Sequence, residues 1–236
     1  MALPIASHPT FSLVLPSTQQ TIVFRPFLVK EEKILLIAQS GEDQGDMVRA
    51  IKQVIQNCII EPKINVDSFT TFDLEYFFIK LRARSVQNLV TLSYKDNEDN
   101  QIYTVEVDLD KVEVIKDFDV SNKIETAPGC GLLLKYPTMD ILDAVEKTGS
   151  AADFSFAVVQ ACIESAYDEN NVYKFAEHTQ EEIEQFVNSL DIKTYQAIQQ
   201  FIEAMPRIEH VIGYTNSNGK KVNITLRSLT DFFTLG

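Results

Sequence analysis

The 236-residue chain is long enough to bury a full core, either as one large domain or as two closely packed smaller ones. Hydrophobic residues make up 45% and charged residues 23% of it, which excludes the polar composition of a disordered chain. The formal net charge of -13 repels polyanions and no basic patch interrupts it, so we expect no binding to nucleic acid.

Three widely separated cysteines, with no C-x-x-C pair, indicate neither a zinc site nor a disulfide framework. No segment approaches the roughly 20 consecutive apolar residues of a membrane span, so we expect no membrane insertion. The cysteine pattern favours a reducing compartment during folding.

The first half of the chain alternates between β-like and helical patterns. Strand alternation and helical spacing predict, in order, a hairpin from Phe11 to Phe24, a helix over Val29–Gln39, a helix around Met47–Cys58, a helix from Thr70 or Thr71 to about Val86, and a hairpin of Leu89–Tyr94 with Ile102–Val107. Leu74, Phe77, Phe78 and Leu81 are expected to form the buried face of the third helix.

The second half predicts short strands first and helices afterwards. The expected elements are short strands over 112–135, helices over Thr138–Lys147 and Ala151–Tyr167, a helix capped by Thr179 to about Leu190, a helix capped by Asp191 through Ala204, and a final hairpin of Ile208–Tyr214 with Val222–Leu226. The capping boxes and the stop at Pro206 give these boundaries.

A gapless comparison of the chain with itself suggests an internal repeat. When Tyr94 is aligned with Tyr214, Ile102 falls on Val222, and the preceding helices also match in their apolar positions. Two copies of a helix, a hairpin and an apolar tail explain this match. Chance similarity between short amphipathic helices followed by hairpins explains it equally well.

These patterns predict an α+β fold of mixed helices and several antiparallel β-hairpins, with two similar helix-hairpin lobes if the repeat is real. The expected N-terminal lobe spans residues 1-112 and holds a hairpin, three helices and a hairpin. The expected C-terminal lobe spans residues 113-236 and holds short strands, helices and the terminal hairpin. One compact domain is the alternative.

No constellation of residues predicts an enzyme. The histidines His8, His178 and His210 lie far apart in the chain, and no nucleophile elbow is present. The acidic turn Asp96–Asn100 lacks the central glycine of a calcium loop, so a solvated turn is the better interpretation. The glycines of Pro128–Gly131 follow no phosphate-binding pattern. We therefore expect no catalytic residues, no metal and no other cofactor.

Two segments carry a family resemblance. Phe24–Leu36 (FRPFLVKEEKILL) and Phe72–Arg82 (FDLEYFFIKLR) resemble the signatures of the T4-type phage baseplate hub protein family, which includes a hub subunit and a hub assembly catalyst. The region from Phe201 to Phe233 looks like the C-terminal end of that family. Residues 113–190 carry no match, so the resemblance brackets nearly the whole chain but leaves its middle unassigned.

The resemblance implies a late viral protein, made in the host cytoplasm and located in the virion at the tail baseplate. It implies docking to other baseplate hub proteins and to the tape measure protein, with no cofactor and no catalytic residues. The leading interpretation is a structural subunit of the contractile tail's baseplate hub. A non-virion assembly chaperone for the hub or the tape measure is the alternative, and a cryptic hub-associated hydrolase is a third.

Docking is expected through strand addition and apolar patches. Arg25, between Phe24 and Phe27, pairs with a carboxylate in a buried or interface setting, or else lies on the surface of an edge strand. The candidate interaction residues are Arg25, Phe27, Tyr76, Tyr214, Phe232 and Phe233.

Overall fold

The computed structural model describes residues 7–41, 44–116, 120–139 and 151–233. They form two compact units, the first made of Met1–Ile115 and Arg207–Gly236 and the second of Lys116–Pro206. The first boundary lies close to the expected one at 112. The terminal hairpin, however, belongs to the first unit, and so the units divide the chain differently from the two expected lobes.

The elements are numbered in chain order. The described strands are β1 (Phe11–Val14), β2 (Thr21–Phe24), β3 (Ile59–Glu61), β4 (Leu89–Lys95), β5 (Ile102–Asp108), β6 (Glu113–Ile115), β7 (Lys123–Ala127), β8 (Cys130–Leu134), β9 (Ile163–Tyr167), β10 (Val172–Lys174), β11 (Arg207–Thr215) and β12 (Lys221–Leu226). The described helices are α1 (Val29–Gln39), α2 (Gln44–Cys58), α3 (Thr71–Ser85), α4 (Ala151–Cys162), α5 (Gln180–Ser189), α6 (Ile192–Glu203) and α7 (Leu229–Phe233).

All strand pairs of the described residues are antiparallel, which confirms the α+β class. The first unit holds a sheet in the order β1-β2-β3, the β4-β5 hairpin and a sheet in the order β12-β11-β6. The second unit holds a sheet in the order β10-β9-β8-β7. Pairing of Arg207–Glu209 with Glu113–Ile115 draws the terminal hairpin into the first unit.

Helix α3 follows the predicted pattern closely. Thr70 is its N-cap, because the Thr70 hydroxyl oxygen accepts a hydrogen bond from the Asp73 N–H group at 3.3 Å. The Thr70 hydroxyl in turn donates a hydrogen bond to the Asp73 carboxylate at 2.7 Å. The same carboxylate accepts the Ser17 N–H group at 3.0 Å, which ties the β1-β2 turn to the start of the helix. The predicted face is buried as expected, at Leu74, Phe77, Phe78 and Leu81.

The core of the first unit combines both ends of the chain. Ile79 of α3, Leu92 of β4, Ile208 of β11 and Phe232 of α7 belong to one buried cluster. Each large side chain that is buried there contributes roughly 1.5–3 kcal/mol relative to exposure. The terminal hairpin and α7 are therefore structural parts of the first unit.

In the second unit, the prediction of one helix over Ala151–Tyr167 is wrong in its last third. Helix α4 ends at Cys162, and β9 begins directly at Ile163 and pairs with β8. Ile163 and Ser165 are buried while Glu164 is exposed, a pattern of period two. The buried leucines of β8 supply a partner for that face, so tertiary pairing overrides the helical periodicity.

The other second-unit helices have the predicted caps. Thr179 accepts the Glu182 N–H group at 3.3 Å, and Asp191 accepts the Thr194 N–H group at 2.7 Å. Most of the helix predicted over Thr138–Lys147 lies outside the described residues. The core of this unit is formed by β8, β9 and the facing sides of α4, α5 and α6.

The internal comparison finds partial support in the element order. Helix α3 precedes the β4-β5 hairpin and a short helical turn at Leu109–Lys111, and α6 precedes the β11-β12 hairpin and α7. Both hairpins nevertheless belong to the first unit. The similar order therefore does not produce two separate helix-hairpin lobes.

Candidate interaction site

Arg25 lies at the joint where β2 ends and α1 begins. Its two terminal nitrogens lie 3.0 and 3.3 Å from the two carboxylate oxygens of Glu31. The guanidinium also donates to the carbonyls of Pro26 at 2.9 Å and Asn57 at 3.0 Å, and contacts Cys58 Sγ at 3.7 Å. The rigid fork of arginine matches several acceptors at once. It therefore connects β2, α1 and the end of α2.

Glu31 is the buried partner in this joint. Burial alone would raise the pKa of Glu31, but hydrogen bonds from Arg25 and from the Leu28 N–H group outweigh it and hold the pKa below its usual value. The pKa of Arg25 is raised, chiefly by its hydrogen bond with Glu31. Arg25 keeps only 19% of its side chain exposed, so the carboxylate-paired expectation holds and its contacts are intramolecular.

The thiols and imidazoles of the described residues show no catalytic arrangement. Burial raises the pKa of both Cys58 and Cys162 to about 12, which keeps them as thiols at neutral pH. His178 lies 3.4 Å from Glu182 in an exposed pair, and burial lowers the pKa of His210. The described ranges contain no group of three or more His, Cys, Asp or Glu side chains that could hold a metal.

The acidic turn after β4 contacts the terminal hairpin and is not fully solvated. The Tyr214 hydroxyl donates to Asp96 Oδ2 at 3.0 Å, and its ring stacks on Tyr103 with centroids 4.4 Å apart. The Ser217 N–H group donates to Asp99 at 3.0 Å. The hydrogen bonds that Asp99 accepts, from the Tyr103 hydroxyl first, lower its pKa. We name this contact the hairpin junction.

The structure distributes the predicted interaction residues among internal sites. Phe27 is buried, and its N–H group donates to Ser85 Oγ at 2.9 Å. Tyr76 packs against the core cluster that contains Phe232, and the side chain of Phe233 lies outside what the structure describes. With Arg25 in its joint and Tyr214 in the hairpin junction, the five residues whose side chains are described form no common exposed patch.

Sequence reasoning missed an open groove beside β1. The groove has a volume of about 620 Å³ and is lined by Phe11, Leu13, Phe24, Lys80, Arg84 and Asp110. These residues come from β1, β2, α3 and the turn after β5. We name it the β1 groove. Alternation in β1 predicted the strand, but only the fold brings the two cations of α3 beside it.

Helix α1 presents an uncovered apolar face. Val29, Leu36 and Ile37 are 81%, 58% and 62% exposed, whereas Ile34, Leu35 and Ala38 on the other side of the helix are half-buried. Helical spacing places the three exposed side chains on one side of the helix. Large contiguous apolar patches on protein surfaces are common at sites of protein contact.

The second unit has its own apolar cavity, of about 330 Å³. Phe175, Phe186 and Ile183 line it, with the His178 and Glu182 pair at its polar side. Nearby, Val172 on the outer strand β10 is 64% exposed. The cavity combines apolar walls with the His178 and Glu182 side chains, a composition that is common in binding pockets.

The geometry defines a mixed α+β protein whose polar clusters hold its own elements together and whose exposed apolar faces suit protein contacts. The model of the family described as T4 bacteriophage base plate protein matches residues 8–234. The chain belongs to this family. No curated protein and no solved structure matches it. Among the described residues, no helix is long and apolar enough to cross a membrane.

Proposed function

We propose that the chain is a non-enzymatic structural subunit of the baseplate hub, retained in the tail and acting through protein-protein docking. The single observation that carries the proposal is the family match over residues 8–234. The signature segment that resembles hub proteins contains the Arg25–Glu31 pair, which fixes the position of α1. Because this pair holds the start of α1, the exposed face of α1 has a defined orientation within its unit.

The exposed surfaces support a docking role. The exposed apolar face of α1 consists of Val29, Leu36 and Ile37. Because the Arg25–Glu31 pair holds the helix in position, an apolar surface of a partner would bind a pre-positioned face. The net charge of -13 favours partners with basic surfaces and speeds their encounter with this chain. Other baseplate hub proteins and the tape measure protein are the proposed partners.

Quantitative mass spectrometry of purified particles and of baseplate intermediates tests the proposal. A structural subunit is expected in both fractions, at a fixed ratio to the other baseplate proteins. Presence in intermediates but not in particles identifies an assembly chaperone instead and overturns retention. Absence from both fractions overturns any role in baseplate construction.

The non-enzymatic part of the proposal has a separate test. The purified chain is incubated with host cell walls, and turbidity and released sugar fragments are followed, with heat-denatured chain as control. We expect no difference between the two samples. Wall degradation by the native chain alone contradicts the proposal and favours a hub-associated hydrolase, which needs a pair of carboxylates flanking a cleft.

A further inference from the structure

Strand β1 is an outer strand, and one edge of its backbone faces away from β2. The Leu15 N–H group donates to Gln20 O at 2.9 Å, and antiparallel pairs alternate between hydrogen-bonded and non-bonded. The N–H and C=O groups of Ser12 and Val14 therefore point away from β2. Within the described residues no hydrogen bond reaches them. An unpaired edge of this kind is a template for a further strand.

The β1 groove lies on one face of this edge. Phe11 and Leu13 are half-buried where they line the groove, whereas Ser12 and Val14 are exposed; Ser12 also borders the groove. Side chains of a strand alternate between its two faces. Every second side chain of a strand added at β1 therefore lies over the groove, whose volume of about 620 Å³ accommodates a long side chain.

The groove carries positive charge in an acidic protein. The two terminal nitrogens of Arg84 lie 3.1 and 2.9 Å from the carboxylate oxygens of Asp110, and the guanidinium lies 5.6 Å from the Phe11 ring centroid. Lys80 Nζ donates to three backbone carbonyls within residues 109–112 at 2.8 to 3.0 Å, which fixes a second cation there. The residues that line the groove thus include two cations and one carboxylate, with Glu113 and Asp108 also acting on Lys80, although the whole chain has a net charge of -13.

We propose that β1 is a strand-addition site for an extended segment of another baseplate protein, whose groove-facing side chain carries a carboxylate beside Arg84. The backbone edge supplies the hydrogen bonds, and the charge of the groove selects the side chain. A guanidinium has five N–H donors, so Arg84 can bind a second carboxylate while it keeps Asp110. This assignment rests on the proposed function, since it names how the subunit docks and what kind of segment it binds.

Amide hydrogen exchange on the full chain tests the free edge. Exchange at Ser12 and Val14 is measured in the isolated chain and in particles or baseplate intermediates that contain it. We expect both amides to exchange at least about tenfold more slowly in the assembly, because the added strand protects them. The Leu13 amide faces β2 and serves as the internal reference, with protection in both states.

Two matched pairs of variants separate the backbone edge from the charge. Val14→Pro removes an outward N–H group and leaves the bonds to β2 intact, and Val14→Thr keeps that N–H group. Arg84→Gln removes a cation from the groove, and Lys111→Gln removes one whose side chain is 75% exposed. Incorporation into baseplates is expected to fall about tenfold for Val14→Pro and about threefold for Arg84→Gln, with both controls unchanged.

Each outcome decides part of the proposal. Unchanged incorporation of folded Val14→Pro, or equal exchange of Ser12 and Val14 in both states, overturns strand addition. Unchanged incorporation of Arg84→Gln overturns the carboxylate assignment. If Val14→Pro does not fold, the exchange of the wild-type amides decides alone. Absence of the wild-type chain from particles and intermediates overturns the proposed function as well, whereas its presence with open amides overturns only this proposal.

Discussion

Asp96 and Asn216 begin the turns of two different hairpins and bond to each other across 120 positions of sequence, with Asn216 Nδ2 3.4 Å from Asp96 Oδ2. Both side chains are buried, at 5% and 4% exposure. This is the same displacement that aligns Tyr94 with Tyr214. The two hairpins therefore meet at residues of their turns that the internal comparison aligns. Their contact is part of the hairpin junction.

The hairpin junction is expected to weaken in acid. Its carboxylates Asp96 and Asp99 have pKa values below their usual range, so they stabilise the fold above the unfolded pKa and lose that contribution as pH falls. Asp99→Asn should lower the melting temperature near pH 7, and the difference from wild type should begin to narrow as pH falls below about 4. Thermal melts across this range measure it. Glu106→Gln, on an exposed site of β5, is the control.

Truncation of Arg25 should destabilise the first unit strongly. Arg25→Ala leaves the fully buried Glu31 carboxylate without its cation, and loss of one partner from a buried pair costs roughly 3–5 kcal/mol. The free energy of unfolding from urea titration measures the loss. The second substitution Glu31→Gln should recover part of it, because the unpaired charge is then gone. Arg49→Ala, where the side chain is 61% exposed, should change little.

Glu75 should give the stability of the fold the opposite dependence on pH. Burial on α3 raises its pKa to about 7, the Leu229 N–H group opposes the rise, and Asp231 adds to it. The folded chain therefore binds more protons than the unfolded chain between 4.5 and about 7, and its stability falls as pH rises through that interval.

Replacement of Glu75 by glutamine tests this dependence. Glu75→Gln should be more stable than wild type by roughly 1–3 kcal/mol near pH 8 and should match it near pH 4. Urea unfolding at several pH values measures the difference, with Glu106→Gln as the exposed control. Equal stability of both chains at the higher pH contradicts the assignment.

Phe232 should behave as a core residue even though it lies in a five-residue helix. Its side chain is 1% exposed in the cluster that contains Ile79 and Ile208. Phe232→Ala should lower the free energy of unfolding by roughly 3–5 kcal/mol, because the lost burial adds to the cost of a cavity. Urea unfolding measures it. Val211→Ala, where the side chain is 54% exposed, should lie within about 0.5 kcal/mol of wild type.

Local chemistry predicts the elements of this fold better than their partners. The caps at Thr70, Thr179 and Asp191 depend on residues three positions apart; Thr179 and Asp191 were predicted from the sequence, and Thr70 was one of two candidates. Strand β9 was missed because its only distinguishing signal is pairing with β8, which no local pattern shows. The placement of β11 beside β6 has the same origin in distant contacts.

The candidate site shows the same division. The sequence singled out Arg25, with a carboxylate partner or a surface position as alternatives, but the identity and burial of the partner follow only from the folded joint. Phe27 and Phe232 were predicted as contact residues because aromatic side chains serve both cores and interfaces. The β1 groove combines segments separated by about a hundred residues, so no motif could indicate it.

The discontinuity of the first unit has a consequence for biosynthesis. Residues 116–206 form a compact unit of their own between the two segments that build the first unit. During translation, residues 116–206 are synthesised before β11, the strand that pairs with β6. At that stage the core of the first unit still lacks Ile208 and Phe232. The core of the first unit is thus completed only at the end of translation, when residues 207–236 have left the ribosome.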